Sequence, residues 1–119
     1  MDRKLGISTG IELELNNLRE IFSMFDNPKD KFLQIMDMAK SQKPFKQEHR
    51  IELNKIYGCS SQAWVVATAN EDKTFSFHTD SDALIVKGLL FILEKIYNNR
   101  TADEILSVNS QYILQSIGL

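Results

Sequence analysis

Between Ile11 and Phe25 the apolar residues Ile11, Leu15, Leu18, Phe22 and Phe25 recur every three or four positions, which puts one stripe on one face of a helix. Asp26-Asn27-Pro28 breaks the stripe. Proline suits the first turn of a new helix, with Asn27 as its cap. Phe32, Ile35, Met36 and Ala39 then give a second helix one buried face, and its methionines are read as packing rather than as a cofactor box. Lys43-Pro44 ends that helix, and a polar connector runs to Arg50.

The period then changes. Ile51 to Tyr57 is expected to form a short strand near its end. Ala63-Trp64-Val65-Val66-Ala67-Thr68-Ala69 reads as a strand, Asn70-Glu71-Asp72-Lys73 as a hairpin turn, and Thr74 to Thr79 as the returning strand. Alternation in that strand points Phe75 and Phe77 inward and leaves Thr74, Ser76 and His78 on the other face, where the histidine is expected to be solvated.

From Ser81, the expected cap, the most apolar helix of the chain runs to about Asn98, with Ile85, Leu89, Ile92, Leu93 and Ile96 as its main stripe. Gly88 inside it costs about 1 kcal/mol relative to alanine, so a close neighbour should compensate. Thr101-Ala102-Asp103-Glu104 is a capping box for a short helix, and Tyr112, Ile113 and Ile117 mark a last one. Residues 1–10 carry little pattern and are expected to fray. The predicted order is α-α-β-β-β-α-α, an α+β fold in which helices cover a small antiparallel three-stranded sheet.

At 119 residues the chain is expected to be a single domain, 1–119, burying about two-thirds of its unfolded surface without disulfide or metal. Fourteen Lys and Arg against 16 Asp and Glu give a net charge of -2, with no basic stripe of the kind that binds nucleic acid. The longest near-apolar run, Leu84 to Leu93, is about half of what a membrane span requires, and Lys87 interrupts it. The N-terminus shows neither a signal-peptide core nor the composition of a transit peptide. One cysteine fits a reducing compartment. The expectation is a cytoplasmic protein, with no membrane and no nucleic-acid partner.

That cysteine, Cys59, lies between Gly58 and two serines, Ser60 and Ser61, in a loop of small residues where a packing cysteine has little reason to be. A reactive thiol is favoured. Lowering its pKa from about 8.5 to about 7 raises the thiolate fraction roughly 15-fold, but nucleophilicity falls about fivefold, leaving a gain of about threefold. Orientation in line with a sulfur donor can be worth several kcal/mol. Positioning should therefore matter more than acidity.

Gly58-Cys59-Ser60-Ser61-Gln62-Ala63-Trp64, followed by Ser81-Asp82-Ala83 and Ile85-Val86-Lys87-Gly88-Leu89, resembles the two signatures of the SufE family, in order and at the family's spacing. That family comprises the sulfur-acceptor partners of cysteine desulfurases in iron–sulfur cluster assembly. The resemblance runs from about Phe22 to the C-terminus and implies a SufE/IscU-like α+β fold. It makes Cys59 the persulfide acceptor, with Gly58, Ser61, Ser81 and Asp82 supporting its loop. It also implies a cysteine desulfurase as donor partner, a cluster scaffold as recipient, and a monomer or homodimer. Pyridoxal phosphate is expected on the desulfurase, with no cofactor and no metal on this chain. Ser60 stands where the family has glutamine. The family's Ser-Arg-Ser/Asn-Gly segment has no counterpart before Leu119, so either a truncated sequence or a different docking mode is expected.

Two other functions fit the residues. Cys59 with His78 as base and Asp82 as orienting group would make a small cysteine hydrolase. A non-catalytic module that binds and regulates the desulfurase is the third. A lone acidic residue in a first helical turn, as Asp82 is expected to be, also simply complements the helix dipole. Trp64 is read as a packing residue and His49 as solvated. No ligand spacing for zinc or an iron–sulfur cluster is present.

Overall fold

In a computed structural model, which describes residues 8–57 and 61–119, the chain is α+β. Its elements are α1 (Thr9–Ser23), α2 (Pro28–Lys40), β1 (Ala63–Ala69), β2 (Thr74–Ser81), α3 (Leu84–Tyr97), β3 (Arg100–Thr101), α4 (Ala102–Leu106) and α5 (Ser110–Ser116). Two single-turn 3-10 segments, Gln47–His49 and Glu52–Asn54, lie between α2 and β1.

Local chemistry sets most boundaries. The Asn27 side chain accepts a hydrogen bond from the Asp30 amide at 2.9 Å, and Pro28 occupies the first turn of α2. Thr101 and Glu104 form the capping box of α4. The Thr101 amide and the Ser8 hydroxyl on the Glu104 carboxylate hold its pKa below the ordinary value.

The sheet is antiparallel in the order β1-β2-β3. Its third strand is not the one expected from Ile51 to Tyr57. That run makes a 3-10 turn at Glu52–Asn54 and then one bridge, Lys55 to Trp64, with the Ile56 amide donating to the Ala63 carbonyl at 2.8 Å. Leu53 is 89% exposed and Ile51 also faces water, so the run has no buried face to hold it as a strand. The third strand is Arg100–Thr101, two residues that return after α3 to pair with Thr74 and Phe75.

One face of the sheet lies on α3, which brings Phe77 against Tyr97 and Thr79 against Glu94. The other face carries Trp64, His78 and Asp80 and is covered by the connector after α2, whose Phe45 is buried there. Behind α3 the core is built from Ile11, Leu15, Leu18 and Phe22 of α1, Ile35 and Met38 of α2, Ile92 and Ile96 of α3, and Ile113 near the end of the chain. Phe32, expected on the buried face of α2, is instead 52% exposed. Gly88 has the close neighbour its cost requires. A Cβ there would sit 2.3 Å from the Ile35 carbonyl oxygen and 2.5 Å from its Cγ2, so the two helices meet at backbone contact distance.

Ladder geometry leaves alternate residues of β2 with N–H and C=O groups turned away from β1. Part of this second edge is met by β3 and part by Glu94 of α3 and the two asparagines that follow the helix. The Thr79 amide donates to Glu94 Oε2 at 2.8 Å, the Phe77 amide to Asn98 Oδ1, and the Asn99 amide to the Phe75 carbonyl. Asn99 reaches that position with φ at 62°, a left-handed conformation asparagine tolerates. Glu94 is 7% exposed and accepts further bonds on Oε2 from the Thr79 hydroxyl and from Gln42 Nε2. Polar side chains of a helix thus stand where a longer third strand would have been.

Candidate functional site

The sequence 57–62 joins two paired ends. Ile56 bonds to Ala63 on one side, while Gln62 continues the β1–β2 ladder beyond its last regular pair on the other. Gln62 is held by three bonds. Its carbonyl accepts from the Asp82 amide at 3.1 Å and from the Ser81 hydroxyl at 2.7 Å, and its amide donates to Asp82 Oδ1 at 3.1 Å. The Asp82 carboxylate takes the bond that a backbone carbonyl would have taken in the next rung. Gly58 and Cys59, the centre of the expected site, lie outside the described residues, as does Ser60. Ser61 is half-buried beside Gln62.

Two expectations change here. Ser81 does not cap α3. It is the last residue of β2, paired with Ala63, and its hydroxyl is committed to the Gln62 carbonyl while accepting from the Ala83 amide at 3.1 Å. The N-cap position is Ala83, which supplies no side-chain bond. Asp82 therefore precedes the helix rather than lying in its first turn, and its carboxylate bonds the Gln62 amide.

Beneath this clamp is a charge cluster that sequence reasoning missed. Asp80 is 3% exposed; Arg50 approaches its Oδ2 with Nε at 2.8 Å and Nη2 at 2.6 Å, and Lys87 Nζ lies 3.5 Å from its Oδ1. The Arg50 guanidinium also lies 5.5 Å from the Phe45 ring centre and 5.9 Å from that of Trp64. Trp64 is the buried packing residue expected. A buried carboxylate is tolerable only when paired and hydrogen-bonded, and here one anion ties the connector, β2 and α3 together. Arg50 is 30 residues from Asp80, so no local pattern announces the pair.

His78 lies on the face expected of it, opposite Phe75 and Phe77, but is half-buried there under the connector. Its ring packs 5.0 Å from that of Phe45, and Nε2 is 3.2 Å from the Lys43 carbonyl. His49, expected in solvent, is half-buried against the edge of Phe45. The Asp82 carboxylate is engaged by Gln62 and does not orient His78. On the N-terminal side of the loop Ile51, Leu53 and Tyr57 form an exposed apolar shoulder. The Tyr57 hydroxyl bonds the Glu52 carboxylate, which pushes the phenol pKa above its ordinary value. Among the described residues no group of three or more His, Cys, Asp or Glu side chains could hold a metal, and no helix is long and apolar enough to cross a membrane.

Residues 16–119 match the family model described as SufE, Fe–S metabolism associated domain. The chain is 32% identical over 108 residues to an uncharacterized SufE-like protein of Rhizobium etli, an alignment covering 88% of this chain and 73% of that protein. A second uncharacterized SufE-like protein, from Rhizobium meliloti, is also 32% identical, with 77% of its length covered. The SufE-like protein 1, chloroplastic/mitochondrial, of Arabidopsis thaliana is 31% identical over 99 residues, which span 83% of this chain and 27% of the plant protein. The helices over an antiparallel hairpin, the clamped Gln62 and these matches lead to one assignment: the chain belongs to the SufE family of Fe–S metabolism domains.

Proposed function

We propose that this protein is a sulfur carrier that accepts sulfur on Cys59 from a cysteine desulfurase and passes it to an iron–sulfur cluster scaffold, stimulating the desulfurase as it does so. The Cys59 thiolate attacks the outer sulfur of the donor's cysteine persulfide. One S–S bond forms at Cys59 as the donor's S–S bond breaks, the donor leaves as a thiolate, and the exchange is redox-neutral. Pyridoxal phosphate belongs to the donor in this reading, which places the reaction in the cytoplasm. This chain contributes the acceptor sulfur and its mounting.

The observation that carries the reading is the threefold hold on Gln62 by Ser81 and Asp82, three residues past the cysteine and within the family's two signatures. It fixes Gln62 to the sheet close behind the cysteine in sequence, which suits a thiol that must be presented to another protein in a set direction. The apolar shoulder of Ile51, Leu53 and Tyr57 supports the same reading as a surface for the donor beside the loop. The cysteine hydrolase alternative has no comparable support, because His78 and Asp82 are engaged elsewhere.

The test is intact-mass measurement after incubation with a cysteine desulfurase and free cysteine. The reading requires a gain of one sulfur, absent in Cys59→Ser. An unmodified protein that nevertheless binds the desulfurase would make it a regulatory module instead. Asp82→Ala should raise the alkylation rate of Cys59 by a few-fold at a stability cost of about 1 kcal/mol, the worth of one hydrogen bond; an unchanged rate removes Asp82 from the mounting.

A further inference from the structure

The two edges of the sheet are finished differently. Pairing alternates along the β1–β2 ladder, so Val65, Ala67 and Ala69, opposite Thr79, Phe77 and Phe75, turn their N–H and C=O groups away from β2. The outward groups on the β2 side are met by Glu94, Asn98 and Asn99. On the β1 side Ile56 takes the Ala63 carbonyl, and the chain then departs through the 3-10 turn at Glu52–Asn54. The Lys55–Trp64 bridge also sets the Val65 amide against the Asn54 carbonyl, and beyond it neither Ala67 nor Ala69 has a backbone partner among the described residues. The strand Ala63–Ala69 has no charged residue and no proline, the usual devices that blunt a free edge.

Next to this edge lies an apolar cleft of about 270 Å³, bounded by Ile56, Val65 and Phe77 on the sheet and by Leu90, Leu93 and Tyr97 on α3. We propose that β1 accepts an extended segment of another protein as an added strand, with apolar side chains at alternate positions seated in this cleft. Main-chain bonds to the edge would supply affinity and the cleft would select the side chains. The bridge from Lys55 to Trp64 shows that the edge pairs with an extended segment where the chain itself offers one. A second copy of the chain fits less well. Pairing β1 with β1 would bring up only the small side chains of Ala67 and Ala69 and leave both clefts unfilled. Two such short strands would also bury far less than the roughly 1,200 Å² of a stable interface. The inference is independent of sulfur transfer, since the free part of the edge, Ala67 to Ala69, lies toward the hairpin turn.

The test uses the full chain, labelled for NMR, and a capped peptide of about eight residues alternating valine and threonine, with a lysine at each end. At saturation the amides of Ala67 and Ala69 should exchange at least ~10-fold more slowly, and the same peptide N-methylated on the positions facing β1 should bind at least ~10-fold more weakly. Ala67→Pro, which removes an outward N–H and no bond of the β1–β2 ladder, should weaken binding similarly while retaining the wild-type circular dichroism. Equal binding by the methylated peptide, or no binding at about 1 mM peptide, overturns the proposal. So does protection of the Ala67 and Ala69 amides by self-association without peptide, which would give the edge to a second copy.

Discussion

The two edges of this small sheet solve one problem by different means. Along β2 the outward amides of Thr79 and Phe77 end on side chains of α3 and of its C-cap Asn98, two residues of β3 complete the row, and the edge is closed. Along β1 the cover among the described residues is Asn54–Ile56 at one end, and Ala67 and Ala69 have no backbone partner there. The helix can serve as a cover because Gly88 lets it pack against α2 at backbone contact, while Glu94 and Asn98 sit four residues apart, one turn of the helix, above alternate residues of the strand. The closed edge lies with the core. The open part of the other edge, Ala67 to Ala69, runs toward the hairpin turn, away from Gln62 and Asp82.

The largest effect on this contrast should come from Arg50→Ala. Arg50 anchors the segment that supplies β1 with its partial cover, and its loss leaves Asp80 buried with Lys87 alone. Breaking a buried pair from one side costs about 3 kcal/mol or more. Denaturant unfolding should show that loss, together with faster exchange of the Ile56 amide and unchanged exchange of the Thr79 amide relative to global unfolding. A loss below about 1 kcal/mol would mean that the pair behaves as a surface bridge.

On the closed edge Glu94→Ala should cost about 2 kcal/mol, because the Thr79 amide and Gln42 Nε2 both lose an acceptor in a buried place. Exchange at Thr79 should speed up selectively, leaving the β1 amides as they were. If Thr79 stays protected, water or a rearranged Asn98 has replaced the carboxylate, and the helix is not the cover it is described to be.

Much of this arrangement could be read in the sequence wherever the signal is local. The stripe of α1, the cap at Asn27, the hairpin from Ala63 to Thr79 and the capping box at Thr101 each depend on neighbours a few residues away, and each is present in the structure. Gly88 announced its contact by its cost. The failures are all non-local. Ser81 looks like a cap because serine before a helix usually is one, but pairing across the hairpin extends β2 through it and gives its hydroxyl to Gln62. Glu94 carries no local signal, since nothing near it in sequence says that an unpaired strand amide lies beneath. Phe45 was passed over inside a polar connector, yet it and Arg50 cover the face where His78 was expected to meet water. As for the site, the motifs singled out Cys59, Ser81 and Asp82; the bonds that join Ser81 and Asp82 to Gln62, and Asp80 with its two cations, emerge only from the fold.

The smallest effect is expected at Thr68→Lys, and its smallness is what makes it informative. Thr68 lies on the exposed half of β1, opposite Ser76, with its side chain on the face away from α3. If the edge is open, a lysine there meets only water and its cross-strand neighbour, and stability should change by no more than about 0.5 kcal/mol, the scale of an exposed strand propensity difference. The same lysine should act as a gatekeeper on a bare edge, so that association on heating or concentration, followed by light scattering, falls below that of the wild type. A loss of more than about 1 kcal/mol would show that this half of β1 is packed against something, in which case both the contrast between the edges and the added strand lose their basis.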